Sequence, residues 1–125
     1  MGATWHFSTA GRLAFGPGAV EQLGELATGH SIRRVVIVTD KNLAKAGLVD
    51  KVSQPLRQGQ VCVDVFDGGE AEPSIEAALR AIEHARSSSP QAILGLGGGS
   101  NMDLAKVTAV VLTHGGVPTD FFGAE

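Results

Sequence analysis

The residues best suited to bind a ligand lie in one short segment, Gly97-Gly98-Gly99-Ser100. Consecutive glycines let the backbone approach an anion without a Cβ in the way, and they permit positive φ angles. A helix beginning directly after them would direct its free N–H groups, and the positive end of its dipole, toward the same anion. Each hydrogen bond to a charged oxygen contributes about 1.5–3 kcal/mol, so a few would dominate affinity. The segment therefore predicts a pyrophosphate site, and the Ser100 hydroxyl adds a donor.

A purely structural interpretation of this segment stays open. The glycines could form only a tight turn, since Ser100 and Asp103 have the spacing of a helix capping box. Asp103 and Lys106 would then pair one turn apart on the helix surface. The spacing Gly95-x-Gly97-x-x-Ser100 is close to a dinucleotide fingerprint but is weak evidence by itself. Its position after a buried strand is what favours a ligand.

Alternating strands and helices are predicted to hold this segment in place. Apolar, β-branched runs predict buried parallel strands over Val35–Val38, Gln60–Phe66 and Ala92–Leu96. Helical spacing of apolar residues predicts helices over Ala19–Thr28, over Asn42–Val52 with a break at Gly47, from Ile75 to Ile82 after a Ser74 cap, and over Asn101–Leu112. Thr4–Phe15 is predicted to form an irregular hairpin. This order predicts a doubly wound parallel α/β sheet, Rossmann-like, with ligands beyond the strands' carboxyl ends where the chain order reverses.

The segment from Gly97 to Lys106 resembles the GGGSxxDxAK signature of the iron-containing alcohol dehydrogenase family. Phe15-Gly16-Pro17-Gly18 resembles that family's early FGxG turn, and Val36 to Lys41 resembles its first nucleotide-binding strand. The resemblance therefore covers essentially the whole chain. Ser100 followed by Ala105-Lys106 favours the alcohol dehydrogenase branch over polyol-type dehydrogenases and dehydroquinate synthases.

The resemblance implies roles for individual residues. Gly98, Gly99 and Ser100 are expected to contact the pyrophosphate of NAD, Gly97 to shape the turn, and Asp103 to lie near the nicotinamide end of the cleft. Lys106 either steadies Asp103 or has a functional role of its own. Glu72-Pro73-Ser74 aligns with a family segment that often reads Asn-Pro-Thr near the adenosine ribose. Glu72 is therefore a candidate cofactor neighbour, with a solvated loop carboxylate as the alternative.

Asp40 follows the first predicted strand, where similar enzymes place a carboxylate. A carboxylate at the end of a nucleotide-binding strand accepts hydrogen bonds from ribose hydroxyls and repels the extra phosphate of NADP. Asp40 therefore predicts NAD rather than NADP. The alternative is that Asp40 caps the helix beginning near Lys41, and the two roles are compatible because capping uses one oxygen.

The resemblance also implies an activity, which is reversible hydride transfer between NAD(H) and a small alcohol or aldehyde. Iron or another divalent metal would be bound by a helical C-terminal domain that is absent here, and the four histidines of this chain lack metal-site spacing. Residues 1–125 are thus expected to be a truncated N-terminal dinucleotide-binding domain, inactive alone, whose open sheet edge favours a homodimer. The alternatives are a non-catalytic nucleotide-binding or assembly module, a maleylacetate reductase relative, or a hydroxyacid-oxoacid transhydrogenase relative.

Composition excludes several other classes. A chain of 125 residues that is 43% hydrophobic fits one globular domain, and its net charge of −3 with scattered Lys and Arg offers no basic face for nucleic acid. No apolar run reaches the length of a membrane span. The lone Cys62 lies between valines and predicts a buried thiol in a reducing compartment, and hence a cytoplasmic protein.

Overall fold

Three parallel strands, in the order β2-β1-β3, form the sheet at the centre of the computed structural model, which describes residues 14–72 and 74–117. The strands are β1 (Arg34–Val38), β2 (Cys62–Phe66) and β3 (Ala92–Gly95). In register, Val36 of β1 is paired with Asp64 on one side and with Ile93 on the other. Four of the five β1 residues are buried, as expected for a central strand covered on both faces. The three predicted strands are confirmed.

The helices also follow the prediction, with differences at their ends. A 3-10 turn (Ala19–Gln22) leads into α1 (Leu23–Gly29), followed by α2 (Lys41–Lys45), α3 (Leu48–Gln58), α4 (Ile75–Ser88) and α5 (Gly99–His114). Gly47 adopts a left-handed conformation with φ +84° and separates α2 from α3, as predicted. The helix α3 continues beyond the predicted end at Val52 and includes Pro55. Val52 and Leu56 are buried one turn apart, and their packing stabilises this extension.

These helices cover both faces of the sheet. One hydrophobic cluster joins α4 and α5 to the face that carries Val36 and Val38. A second cluster joins α1 and α3 to the face that carries Val35 and Ile37. The chain steps from β1 to β2 in one direction and from β2 past β1 to β3 in the other, so right-handed crossovers place the connecting helices on opposite faces. The predicted α/β class and Rossmann-like arrangement are confirmed.

The predictions for Cys62 and for the segment Thr4–Phe15 are not confirmed. The prediction that Cys62 is buried is wrong, because the side chain is exposed. Cys62 is the first residue of an edge strand of the described sheet, and its neighbour in register, Arg34, is also exposed. The predicted hairpin over Thr4–Phe15 lies almost wholly outside the described residues. Within the described ranges, no helix has the length and apolarity needed to cross a membrane.

The helices α1 and α3 approach each other closely enough to require glycine. A Cβ on Gly24 would lie 2.4 Å from the carbonyl oxygen of Pro55, and a Cβ on Gly59 would lie 3.1 Å from the Cα of Gly24. The first of these distances is far below a van der Waals contact. Backbone therefore packs against backbone at this crossing, and a methyl group would force the two helices apart.

We expect Gly24→Ala to lower the free energy of unfolding by about 1–3 kcal/mol, the usual range for overpacking, as measured by chemical denaturation. Gly29→Ala is the matched control, because its added Cβ would meet open space at the end of the same helix. Alanine is the better helix former, so the control should keep or gain stability. Equal losses in the two variants would contradict the close crossing.

Candidate dinucleotide-binding site

The carboxyl ends of the three strands are joined through Thr39, which is fully buried. Its N–H donates to the Phe66 carbonyl at 2.8 Å, and its own carbonyl accepts from the Gly69 N–H at 2.9 Å. Its hydroxyl donates to the Leu96 carbonyl at 3.0 Å. One residue therefore ties together the segments that leave β1, β2 and β3. Thr39 was not among the predicted site residues, although a hydroxyl residue that ends a buried apolar run is a readable signal in the sequence.

The strand order creates a topological switch point between β1 and β3. The chain leaves β1 to form β2 on one side and later returns to form β3 on the other. Crevices at such points, beyond the carboxyl ends of the strands, are the usual ligand sites of open α/β sheets. Asp40 follows β1, and the segment from Gly97 to Ser100 follows β3. These predicted site residues thus flank the switch point.

The three glycines of the turn differ in their surroundings. Gly97 has a φ of +133°, and a Cβ there would lie 2.3 Å from Nδ2 of Asn101. Gly98 and Gly99 do not have positive φ, and a Cβ on either would meet nothing within 4 Å. Gly97 is therefore required by backbone conformation and packing, whereas Gly98 and Gly99 leave open space in front of the helix.

The helix α5 begins two residues earlier than predicted, at Gly99, with Gly98 as its N-cap. No side chain caps this end, and the first turn contains no acidic residue. The N–H groups of a first helical turn have no acceptor within the helix, so they are available to an anion. Gly95 sets the position of this helix, because a Cβ there would lie 3.0 Å from the Cβ of Ala105. Close packing of α5 on β3 thus aims the helix end at the switch point.

Ser100 lies inside α5, and its hydroxyl donates a hydrogen bond to the Ala71 carbonyl. This contact ties the loop after β2 to the first turn of α5. The capping-box alternative is wrong, because the capping position belongs to Gly98. Asp103 and Lys106 are exposed, and among the described residues no ion pair joins them.

Asp40 uses both carboxylate oxygens. Its Oδ1 accepts from the Leu43 N–H at 2.9 Å and caps α2, which confirms the capping interpretation. Its Oδ2 accepts from Nδ2 of Asn101, also at 2.9 Å. The Asn101 amide first, and the Leu43 N–H second, hold the pKa of Asp40 below its usual value because they stabilise the charged form. An ionised carboxyl oxygen accepts more than one hydrogen bond, so Asp40 retains capacity for a ligand.

Asn101 is a second residue of the site that was not predicted from the sequence. Its side chain is 4% exposed, and besides Asp40 it donates to the Leu96 carbonyl at 2.9 Å. Asn101 occupies a variable position of the signature, which gave no reason to select it. Its spacing did carry a signal, because it shares the buried face of α5 with Leu104, Ala105 and Thr108. A polar residue in an apolar stripe must find buried partners.

The remaining predicted site residues lie at the periphery of this arrangement. Glu72 is exposed in the loop after β2, directly after the residue that Ser100 contacts. Asp103 is exposed one turn into α5. Neither carboxylate forms a hydrogen bond or ion pair within the described part of the chain. In residues 14–72 and 74–117, no group of three or more His, Cys, Asp or Glu is arranged to hold a metal ion.

Comparisons with known proteins found both similar sequences and similar structures. The family model described as iron-containing alcohol dehydrogenase matches residues 10–125. Long-chain-alcohol dehydrogenase 1 of Geobacillus thermodenitrificans is 38% identical over 106 residues, which is 85% of this chain and 27% of that protein.

Solved structures with a similar fold were also found. The NADH-dependent butanol dehydrogenase A of Thermotoga maritima is 28% identical, with a TM-score of 0.84 over 95% of this chain and 30% of that one. The sulfoacetaldehyde reductase of Bifidobacterium kashiwanohense, solved in complex with NAD+, has a TM-score of 0.83 over 98% of this chain and 32% of that one. At 22% identity, this second likeness concerns the fold alone. The chain thus spans about a quarter to a third of these relatives.

The hydrogen bonds of Asp40 predict a pH-dependent contribution to stability. A lowered pKa means that the contribution is complete above the pKa of an unfolded aspartate, about 3.9, and is lost as the pH falls through the folded value. We expect Asp40→Asn to lower the free energy of unfolding at neutral pH, because an amide has one acceptor oxygen and cannot accept from both the Leu43 N–H and the Asn101 amide. The deficit should shrink as the pH falls below the ordinary aspartate pKa, because Asp40 of the unmodified protein then becomes protonated.

Denaturant unfolding at neutral and acidic pH measures this difference. Glu72→Gln is the control, since Glu72 is exposed and its substitution should change stability at neither pH. A deficit for Asp40→Asn that is constant with pH would show that the carboxylate charge does not carry the interaction.

Proposed function

The chain belongs to the iron-containing alcohol dehydrogenase family, and on that premise we propose that it is the NAD(H)-binding portion of a metal-dependent dehydrogenase. The enzyme would transfer a hydride between NAD(H) and a small alcohol or aldehyde. The named activities of the Geobacillus and Thermotoga relatives support this reaction class. Because the chain spans under a third of those proteins, the activity is proposed for the larger protein that contains it.

The observation that carries the proposal is the open space in front of Gly98 and Gly99, at the uncapped start of α5. A pyrophosphate fits there for two reasons. Backbone N–H groups at a helix start donate to anionic oxygens, and the absence of Cβ atoms lets those oxygens come close. In this proposal Gly98, Gly99 and the backbone N–H of Ser100 hold the pyrophosphate, and Gly97 fixes the turn. The bound nicotinamide supplies the site that accepts or returns the hydride.

The two ends of the cofactor are assigned to the two sides of the switch point. Asp40 accepts from the adenosine ribose, and its charge repels a 2′-phosphate, so the preferred cofactor is NAD rather than NADP. Glu72 is proposed as a neighbour of that ribose. Asp103, further along α5, is proposed to lie toward the nicotinamide.

The rest of the enzyme completes the proposal. Residues 1–125 would be the N-terminal dinucleotide-binding domain, and a helical C-terminal domain would hold iron or another divalent metal that polarises the substrate oxygen. Residues 1–125 alone would then be inactive. The free edges of β2 and β3 in the described sheet supply surfaces for a homodimer. A single cysteine without a disulfide partner in the chain supports a cytoplasmic setting.

Gly99→Ala tests the pyrophosphate site. Alanine is tolerated at this helical position, so the folded state should be as stable as the parent or more so. The added methyl group would occupy the proposed anion position, and losing one hydrogen bond to a charged oxygen would weaken NADH binding about tenfold or more. Fluorescence titration of the complete protein with NADH measures the affinity.

Gly29→Ala serves as the control for this test. Gly29 also has open surroundings, but it lies on α1, which packs on the opposite face of the sheet from α5. Its substitution should leave the affinity unchanged. If Gly99→Ala binds NADH with unaltered affinity, the assignment of the pyrophosphate to this turn is wrong.

Asp40→Gly tests the choice of cofactor. Glycine replaces an N-cap residue at a cost of only a few tenths of a kcal/mol, so α2 should form. The ratio of the dissociation constants for NADP+ and NAD+ should fall, because the ribose acceptor and the charge that repels phosphate are both removed. Asp50→Asn is the control, since Asp50 is exposed on α3, which packs on the opposite face of the sheet from α5. An unchanged ratio in Asp40→Gly would rule out its assignment to the ribose.

A further inference from the structure

We propose that Asn101 is a positioning residue for cofactor selection: its side-chain amide holds the Asp40 carboxylate against the glycine turn, so that ribose and pyrophosphate are recognised by one connected unit. This inference rests on the proposed function. It assigns a role to a position that the family signature leaves variable.

The hydrogen bonds of Asn101 span the switch point. One N–H of the amide donates to Oδ2 of Asp40, which follows β1, and the other donates to the carbonyl of Leu96, which follows β3. Both acceptors lie 2.9 Å from Nδ2. Because each acceptor needs a donor, they fix which end of the amide is nitrogen and which is oxygen. The amide is thus a cross-link between the two segments proposed to hold the cofactor.

Packing leaves the amide no alternative position. A Cβ on Gly69 would lie 2.4 Å from Oδ1 of Asn101, and a Cβ on Gly97 would lie 2.3 Å from Nδ2. Glycines on two separate loops therefore form a slot for this side chain. With only 4% of Asn101 exposed, water has little access to its amide.

The consequence falls on Asp40, which is itself only half-buried. A half-buried carboxylate on a flexible side chain would ordinarily sample several orientations. Here the Leu43 N–H holds one oxygen and the Asn101 amide holds the other. The carboxylate is therefore oriented before a ribose arrives, and little ordering of the side chain is needed on binding.

The competing explanation is that Asn101 merely anchors α5 through Leu96. The two explanations differ in what changes when the amide is removed. Loss of an anchor would weaken NAD+ and NADP+ binding equally, whereas loss of a positioning residue would act through Asp40 and reduce the preference between them. Asn101→Leu keeps the approximate volume and removes both bonds. Asn101→Ser is the second variant, since it keeps a hydroxyl donor but is too short to reach both acceptors.

The experiment is a double-mutant cycle in the complete protein, with dissociation constants for NAD+ and NADP+. We expect Asn101→Leu and Asn101→Ser to weaken NAD+ binding about tenfold, with a smaller effect on NADP+. In the Asp40→Gly background, the same substitutions should have little further effect. Thr108→Val is the control on the same buried face of α5, because its hydroxyl bonds only within the helix, and it should leave the NADP+/NAD+ ratio unchanged.

A second measurement does not depend on the cofactor. In the NMR titration of the Asp40 carboxyl, the midpoint should move upward in Asn101→Leu, because this variant has no donor to favour the charged form. Equal losses for NAD+ and NADP+, full additivity with Asp40→Gly, or an unmoved titration midpoint would each overturn the inference. If the unmodified protein binds neither dinucleotide, the proposed function fails, while the titration still tests the Asn101–Asp40 pair.

Discussion

The candidate site depends on how one backbone carbonyl, that of Leu96, is satisfied. At Leu96 the chain leaves β3 for the glycine turn, so the regular hydrogen-bond ladder of the sheet ends there. The N–H of Leu96 still donates to the Val38 carbonyl. Its carbonyl accepts from the hydroxyl of Thr39 and from the amide of Asn101. A carbonyl that is shielded from water and lacks a donor is costly, so these two side chains stabilise the point at which the turn begins. The positions of Asp40 and of the α5 start both follow from this pair of contacts.

The glycines around this turn serve different physical needs. Gly95 allows α5 to pack closely on β3, and Gly97 supplies a positive φ and space for the Asn101 amide. Of these four glycines, Gly98 and Gly99 alone have open space where a Cβ would stand. A run of glycines that looks uniform in the sequence is thus divided between building the turn and leaving room for a ligand. The same division explains why the site can be both rigid and accessible.

Local patterns predicted most of the elements because their causes are local. The β-branched run of β1, the Ser74 cap of α4 and the left-handed break at Gly47 each depend on neighbouring residues. The contacts that organise the site do not, since Thr39 and Leu96 are 57 positions apart and Asp40 and Asn101 are 61 apart. Periodicity marks Asn101 as buried but cannot name its partner. The exposure of Cys62 escaped prediction for a similar reason, because an edge strand and a central strand have similar compositions.

The hydrogen bond from Ser100 to Ala71 has a consequence for the loop that follows β2. A hydroxyl group has a single hydrogen to donate, and here that hydrogen is committed to a carbonyl of the loop. A phosphate oxygen facing Ser100 would therefore accept from the main-chain N–H alone, or it would also accept from the hydroxyl. The second case requires that the hydroxyl no longer donates to Ala71. In the second case, the loop carrying Glu70 and Glu72 would lose its hydrogen bond to α5 as the anion arrived. The ligand and the loop thus compete for one hydrogen-bond donor. The distance between the Ser100 hydroxyl and the Ala71 carbonyl would report which of the two is bound.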